Sequence, residues 1–301
     1  MKPQPFKVAI LGAGCIGTDL LMKIQRSIHL ECVLVAGRNQ ASCGLRKALK
    51  MGYPTTDGGI AALVDKSHTF DLVFDATDAH SHQEHWNQLK PLRKLMVNLT
   101  PTQVGHMIAP SVNGNEILEH QNISLISCGG QASIPLVTAL SSLFPSIPYI
   151  EVVTTAASPS VGRGTRLNLD EYIETTEMAI SAFSRASQVK ALVNLSPAKP
   201  PTTFRVAISM MTDGADLSAV KAAVTEAAAQ VLSFVPGYHI TACKTFESGQ
   251  VFVAVEVKGR GDYLPPYAGN LDIINAAAIV VAERYAVNRT SPLMPTSELE
   301  L

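Results

Sequence analysis

Lys7-Val-Ala-Ile-Leu-Gly-Ala-Gly-Cys-Ile-Gly-Thr-Asp-Leu-Leu-Met-Lys-Ile24 is the stretch that decides the fold. Val8 to Leu11 form a short apolar run ending at a glycine, the pattern of a strand buried on both faces of a parallel sheet. Gly12-x-Gly14-x-x-Gly17 follows, and Leu20, Leu21 and Ile24 then recur at helical spacing. A second apolar run, Cys32 to Ala36, closes a strand–helix–strand unit. In such a unit the first glycine permits a tight turn, and the second lets a pyrophosphate approach the backbone. The third lets helix and strand pack closely, with the phosphates at the helix N-terminus. Gly12, Gly14, Cys15, Ile16, Gly17 and Thr18 therefore read as a dinucleotide-binding loop.

Outward from this unit, residues 71–75, 95–98 and 123–126 read as further strands, with a helix near 81–92 among them. Strands alternating with helices predict an α/β fold whose N-terminal part is a Rossmann-type, doubly wound parallel sheet. After Cys128 the strands lengthen, to about 149–156, 189–195, 203–211 and 250–258, with helices near 169–187 and 215–233. The strands on either side of the Pro-rich turn Ser196–Pro201 read as paired. This predicts a second α+β domain with a mixed sheet. Asn168 and Glu171 have the spacing of a capping box for the helix that starts near 169. A last helix, about 271–285, returns to the first domain. The expected division is 1–130 plus 270–288 for dinucleotide binding, 131–269 for substrate and dimerisation, and 289–301 as a flexible tail. At about 150 residues per domain, a chain of 301 residues is consistent with two.

The formal net charge is −1, which argues against a nucleic-acid partner, since phosphate binding calls for a basic excess. Apolar residues make up 47% and charged ones 16%, enough to fill a core and unlike a disordered chain. No apolar run reaches the roughly 18 residues a membrane span needs. Five cysteines without a CxxC pair give no disulfide framework, so reduced thiols and a cytoplasmic location are expected.

Cofactor choice is read after the second strand. An NAD site places Asp or Glu there for the ribose hydroxyls, whereas this chain has Gly37-Arg38-Asn39. A guanidinium suits a 2′-phosphate, so Arg38 and Asn39 favour NADP, with NAD as the alternative.

Cys128 ends the run Ile123-Ser-Leu-Ile-Ser127 and precedes Gly129-Gly130-Gln131-Ala132-Ser133-Ile134-Pro135. A sulfur at a strand end and a helix N-terminus is placed to ionise, and the two glycine N–H groups are expected to form an oxyanion site. Such a thiol can attack an acyl or aldehyde carbon while a nicotinamide exchanges hydride. Burial as a small hydrophobe is the plain alternative.

Five segments carry a resemblance. Val8–Asp19, Ser127-Cys-Gly-Gly-Gln-Ala-Ser133, Gly162-Arg-Gly-Thr-Arg-Leu-Asn-Leu-Asp-Glu171, Asn194-Leu-Ser-Pro-Ala-Lys-Pro-Pro201 and Tyr263-Leu-Pro-Pro-Tyr-Ala-Gly-Asn-Leu-Asp272 resemble the acylating acetaldehyde dehydrogenases, in order, to about residue 285. The resemblance implies interconversion of acetaldehyde and acetyl-CoA with a nicotinamide cofactor, and Cys128 as the acyl-thioester nucleophile. It implies that Ser160, Val161, Gly162, Arg163, Gly164, Asn168 and Asn270 help hold the nicotinamide half. It also implies a homo-oligomer and a 4-hydroxy-2-oxovalerate aldolase as partner. The chain departs from the family where Phe204-Arg205-Val206 lacks an Asp, at Arg38-Asn39, in a loop missing before Glu247, and in the turn Val161-Gly-Arg163-Gly. These departures keep CoA or another thiol open as acyl acceptor. They also leave a semialdehyde or acyl-phosphate reductase of the same plan, or an inactive nucleotide-binding protein, as alternatives.

His80, His82 and His85 do not share one helix face, so they read as no metal site, with His80 and His85 solvated; the family resemblance implies that His82 lies near the cofactor. His239 is placed in a Pro-Gly turn and is not assigned as a base. Arg163 and Arg166 read either as a structural ion pair or as an anion contact.

Overall fold

The computed structural model describes residues 4–162 and 166–290. Arg163, Gly164 and the tail from residue 291 lie outside the described residues.

The first sheet has seven parallel strands: β1 (Phe6–Leu11), β2 (Leu30–Ala36), β3 (Thr55–Thr56), β4 (Leu72–Asp75), β5 (Leu95–Asn98), β6 (His106–Met107) and β7 (Asn122–Ser124). They lie in the order β3-β2-β1-β4-β5-β7-β6. Helices α1 (Cys15–Ile24), α2 (Cys43–Lys50), α3 (Gly59–Asp65), α4 (Ala79–Leu89) and α5 (Pro110–Asn113) occupy the connections. The chain winds from β1 out to β3, then returns to β4 beside β1. That reversal opens a crevice at the carboxyl ends of β1 and β4, where ligands of open α/β sheets bind. Strands β4 and β5 are buried throughout, as the apolar runs Leu72 to Phe74 and Leu95 to Val97 require, each ending in a buried polar residue.

The chain leaves this sheet through α6 (Cys128–Ser141) and builds a second, five-stranded one from β8 (Ile147–Ala157), β9 (Ala186–Ser196), β10 (Phe204–Met211), β11 (Tyr238–Thr245) and β12 (Gln250–Val257). Their order is β11-β12-β10-β8-β9, with β8 and β9 parallel and every other pair antiparallel. The mixed sheet is as expected; the pairing across the prolines is not. β9 and β10 flank β8, so the Pro-rich segment passes over a strand rather than forming a hairpin. His239 is a second correction: it stands in β11 opposite Glu256, where a turn was expected.

Helices α6, α7 (Leu169–Phe183) and α8 (Leu217–Leu232) pack on one face of this sheet. The other face, carrying Val153, Ala207, Phe252 and Ala254, is left half-exposed by the described residues, as the alternating burial of β10 and β12 records. The last helix, α9 (Gly269–Thr290), is apolar around much of its circumference because it serves two cores. Ile273 and Ala276 join the core of the second sheet, whereas Ile274, Ala277, Ala278 and Val281 join that of the first. Among the described residues no helix is long and apolar enough to cross a membrane.

Candidate functional site

The glycine loop sits in the crevice at the end of β1. Gly12 has φ +108°, and a Cβ there would lie 2.5 Å from the Ala76 carbonyl oxygen, so turn and close approach both demand glycine. A Cβ on Gly17 would collide with the Gly12 carbonyl, which is the close helix–strand contact expected of the third glycine. A Cβ on Gly14 would meet nothing within 4 Å, leaving room for a ligand against the backbone. Gly14 is also the N-cap of α1 and offers no side-chain acceptor, so the first-turn N–H groups are left for an anion. Thr18 is used differently: its hydroxyl donates to the Gly14 carbonyl and is buried.

Two cavities meet at this loop. One, about 760 Å³, is lined by Gly12 to Gly14, Arg38, Asp57, Thr77, His85 and Asn168. The other, about 300 Å³, is lined by Gly14, Cys15, Ile16, Thr77, Ser160, Gly162, Pro265 and Tyr267. They share Gly14, Ala76 and Thr77, so the groove runs past the loop on both sides, the shape an extended dinucleotide needs. Arg38 is therefore at the groove, whereas Asn39 is not among its lining and turns its side chain onto the Ala41 amide. Val161 packs into the second core, and its carbonyl accepts from Arg166. Arg166 also donates to the Ser158 carbonyl and hydroxyl, so it braces this turn instead of forming an ion pair.

Asn168 does not close a capping box. Its side-chain Oδ1 accepts from the Ala79 amide, tying the start of α7 to the start of α4. Its Nδ2 is buried without a hydrogen-bond partner among the described residues, as is Oδ1 of Asn270, whose Nδ2 donates to the Ser160 carbonyl. A free donor and a free acceptor, both buried, fit a ligand that brings its own polar groups. The residues present thus suit a dinucleotide with a carboxamide end.

Beside the groove, the Asp75 carboxylate receives Nδ1 of His82 at 2.9 Å and Nδ1 of His85 at 3.0 Å. Burial alone would raise its pKa, yet the two imidazoles hold it down to about 2. His85 was expected in solvent; it lines the larger cavity instead, because His82 and His85 are one helical turn apart and both reach the end of β4. His80 is exposed near Glu171, as expected.

Cys128 begins α6, half-buried. Two residues before it, Ile126 holds φ +65°, rare for a β-branched residue and worth about 1–3 kcal/mol of strain. That turn lets Ser127 cap α6, its Oγ accepting from the Gly130 amide at 2.9 Å. The Gly129 amide donates to the Tyr172 hydroxyl, also at 2.9 Å. Both glycine N–H groups are thus engaged, and the oxyanion site expected from them does not form. The helix end does not suffice to acidify the thiol either. Desolvation pushes it up to about 11, outweighing the Tyr172 hydroxyl 3.5 Å from Sγ and the backbone N–H groups of Gly129 and Cys128, all of which pull it down. Val206, where a carboxylate is missing, is buried and pairs with Thr154. Sequence reading did not find Tyr172, Asp57 or the Asp75 cluster. Only the turn spacing of His82 and His85 after a strand-ending Asp carried a local signal.

Residues 128–265 match the family described as "Prokaryotic acetaldehyde dehydrogenase, dimerisation". The chain is 53% identical to an acetaldehyde dehydrogenase of Streptomyces griseus, over 93% of this chain and 90% of that one. It is 46% identical to one of Pectobacterium atrosepticum, over 92% and 94%. Among solved structures it is similar to aspartate semialdehyde dehydrogenase II of Vibrio cholerae, with TM-score 0.65 and 11% identity over 96% of this chain and all of that one. At that identity the likeness is one of fold.

Proposed function

The chain belongs to the acetaldehyde dehydrogenase family, and we propose that it interconverts a small aldehyde and its acyl thioester through a covalent bond to Cys128. It is an oxidoreductase acting on aldehydes. The observation that carries the mechanism is the cysteine at the head of α6, held by a strained turn beside a buried phenol. In the oxidative direction Sγ adds to the aldehyde carbon, and the oxygen takes a proton as the hemithioacetal forms. Gly14 and the first turn of α1 would hold the pyrophosphate, while Asn168 and Asn270 offer their unpartnered amide atoms to the nicotinamide end. The nicotinamide, when bound, supplies hydride exchange with the carbon attached to sulfur. Transfer of the acyl group to CoA or another thiol frees Cys128. Purified protein assayed with a panel of aldehydes and acyl-CoAs tests this reading; turnover with phosphate and not with CoA as acyl acceptor overturns it.

Arg38 at the groove supports NADP as the cofactor, and a cell's reduced NADPH pool favours thioester reduction. Arg38→Ala is expected to raise KM for NADPH roughly tenfold while leaving NADH within about twofold, the scale of one charge-assisted hydrogen bond. Equal losses with both cofactors, or a wild-type preference for NADH, overturn the assignment.

The uncovered face of the second sheet supports pairing of two copies through it, in line with the dimerisation description of residues 128–265. Ala207 lies at its middle, opposite Val153 and Ala254. Ala207→Arg is expected to shift the protein from dimer to monomer in light scattering, because an unpaired charge would be buried between two sheets. A variant that stays dimeric rules this face out. The five free thiols fit a reducing, cytoplasmic setting. The family resemblance also supports a 4-hydroxy-2-oxovalerate aldolase as supplier of the aldehyde.

A further inference from the structure

We propose that Tyr172 is a catalytic hydrogen-bond donor to Cys128, the group that stabilises its sulfur as thiolate and the charge that develops beside it. The inference rests on the reading of Cys128 as nucleophile. Three contacts define the role. The Gly129 amide donates to the phenol oxygen at 2.9 Å, which occupies a lone pair and leaves the O–H free for another acceptor. The one hydrogen that Tyr172 can give then has two partners in reach, Sγ of Cys128 at 3.5 Å and Oγ1 of Thr154 at 3.4 Å.

Both Tyr172 and Thr154 are buried, so water does not compete for that hydrogen. The Gly129 N–H polarises the phenol, and the phenol carries the positive end of α6 on to the sulfur. This assigns to Tyr172 the side-chain part of the donor role, beside the Gly129 N–H, which reaches both the phenol and the sulfur. Space is reserved for it: a Cβ on Gly129 would collide with the Tyr172 hydroxyl and with Thr154 Oγ1. Its place is fixed as well. The Thr176 hydroxyl donates to the Tyr172 carbonyl and meets the Ser127 hydroxyl, joining the first turns of α7 to the cap of α6.

Tyr172 is a donor and not a base. Burial first, and neighbouring Cys128 second, push its own pKa well above the usual phenol value, so it keeps its proton at any working pH. The thiol proton passes to the aldehyde oxygen as the S–C bond forms, and the phenol is unchanged at the end of the step. Among the described residues no carboxylate hydrogen-bonds to Cys128, Tyr172 or Thr154, and the strand neighbours of Thr154 are the aliphatic Val206 and Val193.

Tyr172→Phe keeps the ring and removes the O–H. The readouts are the pH dependence of iodoacetamide alkylation at the Cys128 peptide, followed by mass spectrometry, and steady-state turnover with acetyl-CoA. The thiol pKa is expected to rise by about one unit or more, with roughly tenfold slower alkylation at fixed pH. kcat should fall at least as far, with KM for the nicotinamide cofactor unchanged. Thr154→Val is the companion variant. It leaves the phenol with sulfur as its acceptor among the described residues, so the thiol pKa is expected to hold or fall, a split that loosened packing would not produce. A wild-type alkylation profile and kcat in Tyr172→Phe, or a rise in thiol pKa in both variants, overturns the role of Tyr172. Full turnover by Cys128→Ala would instead overturn the reading of Cys128 itself.

Discussion

Cys128→Ala is expected to lower kcat by about 1,000-fold or more, with nicotinamide binding within about twofold of wild type. The size follows from the role. Removing a nucleophile removes the covalent route, and what remains is whatever binding and orientation alone provide. The cofactor should still bind, because its groove is built from the glycine loop and the residues around Asn168 and Asn270, not from the head of α6. Isothermal titration with NADPH and NADH, beside turnover on acetyl-CoA, separates the two effects. The pH behaviour sharpens the test. Because desolvation holds the free thiol near 11, its alkylation should rise about tenfold per pH unit from pH 7 to pH 10. A plateau below pH 8 would mean a thiolate already formed in the resting protein. Full turnover by the alanine variant would end the covalent mechanism.

The sequence carried the features that are local and lost those that depend on which strand lies beside which. Val8 to Leu11 and Leu72 to Phe74 are legible because a parallel strand buried on both faces is an unbroken apolar run. The glycines are legible because each answers a backbone demand, as the collisions at positions 12 and 17 record. β3 and β6 are two residues long, too short to show any period. β11 was lost because His239, Thr241 and Lys244 make its exposed face polar just after a Pro-Gly pair. The prolines after Ser196 suggested a hairpin because spacing alone does not reveal that β8 is threaded between the two strands. The site divides in the same way. Cys128 announces itself at a strand end before a glycine pair, whereas Tyr172 reaches it from 44 residues away on a different helix. Asn168 had a local reading as a cap and was given a longer-range use by the fold.

Lys23→Met is expected to cost about 3 kcal/mol or more of stability and to lower the melting temperature by about 5 °C or more. Lys23 lies buried in α1, with Asp19 at 3.1 Å, Asp262 at 2.9 Å and Asp272 at 2.6 Å. Burial alone would lower its pKa, but the charges of Asp272 and Asp19 outweigh that and raise it above the ordinary value. Methionine fills the volume and removes the charge, stranding Asp19 and Asp272 in the interior with no cation of their own. Arg26, which also holds Asp262, is 45% exposed and solvent-screened, so Arg26→Met should cost only about 0.5 kcal/mol. A raised lysine pKa contributes stability below its unfolded value and loses it as pH rises through the folded one. The gap between wild type and Lys23→Met should therefore persist through neutral pH and close only above about pH 10.5. At the acid end, the depressed pKa of Asp262 means its share is lost as pH falls below the ordinary carboxylate range. The cluster also joins α1 to the segment that carries Leu264, Pro265 and Tyr267, one wall of the smaller cavity. Loosening it should therefore weaken cofactor binding as well as the fold, which thermal shifts with and without NADPH would register as a smaller stabilisation in the variant. A melting temperature within a degree of wild type would mean that the three carboxylates find other partners, and the clamp would have to be sought elsewhere.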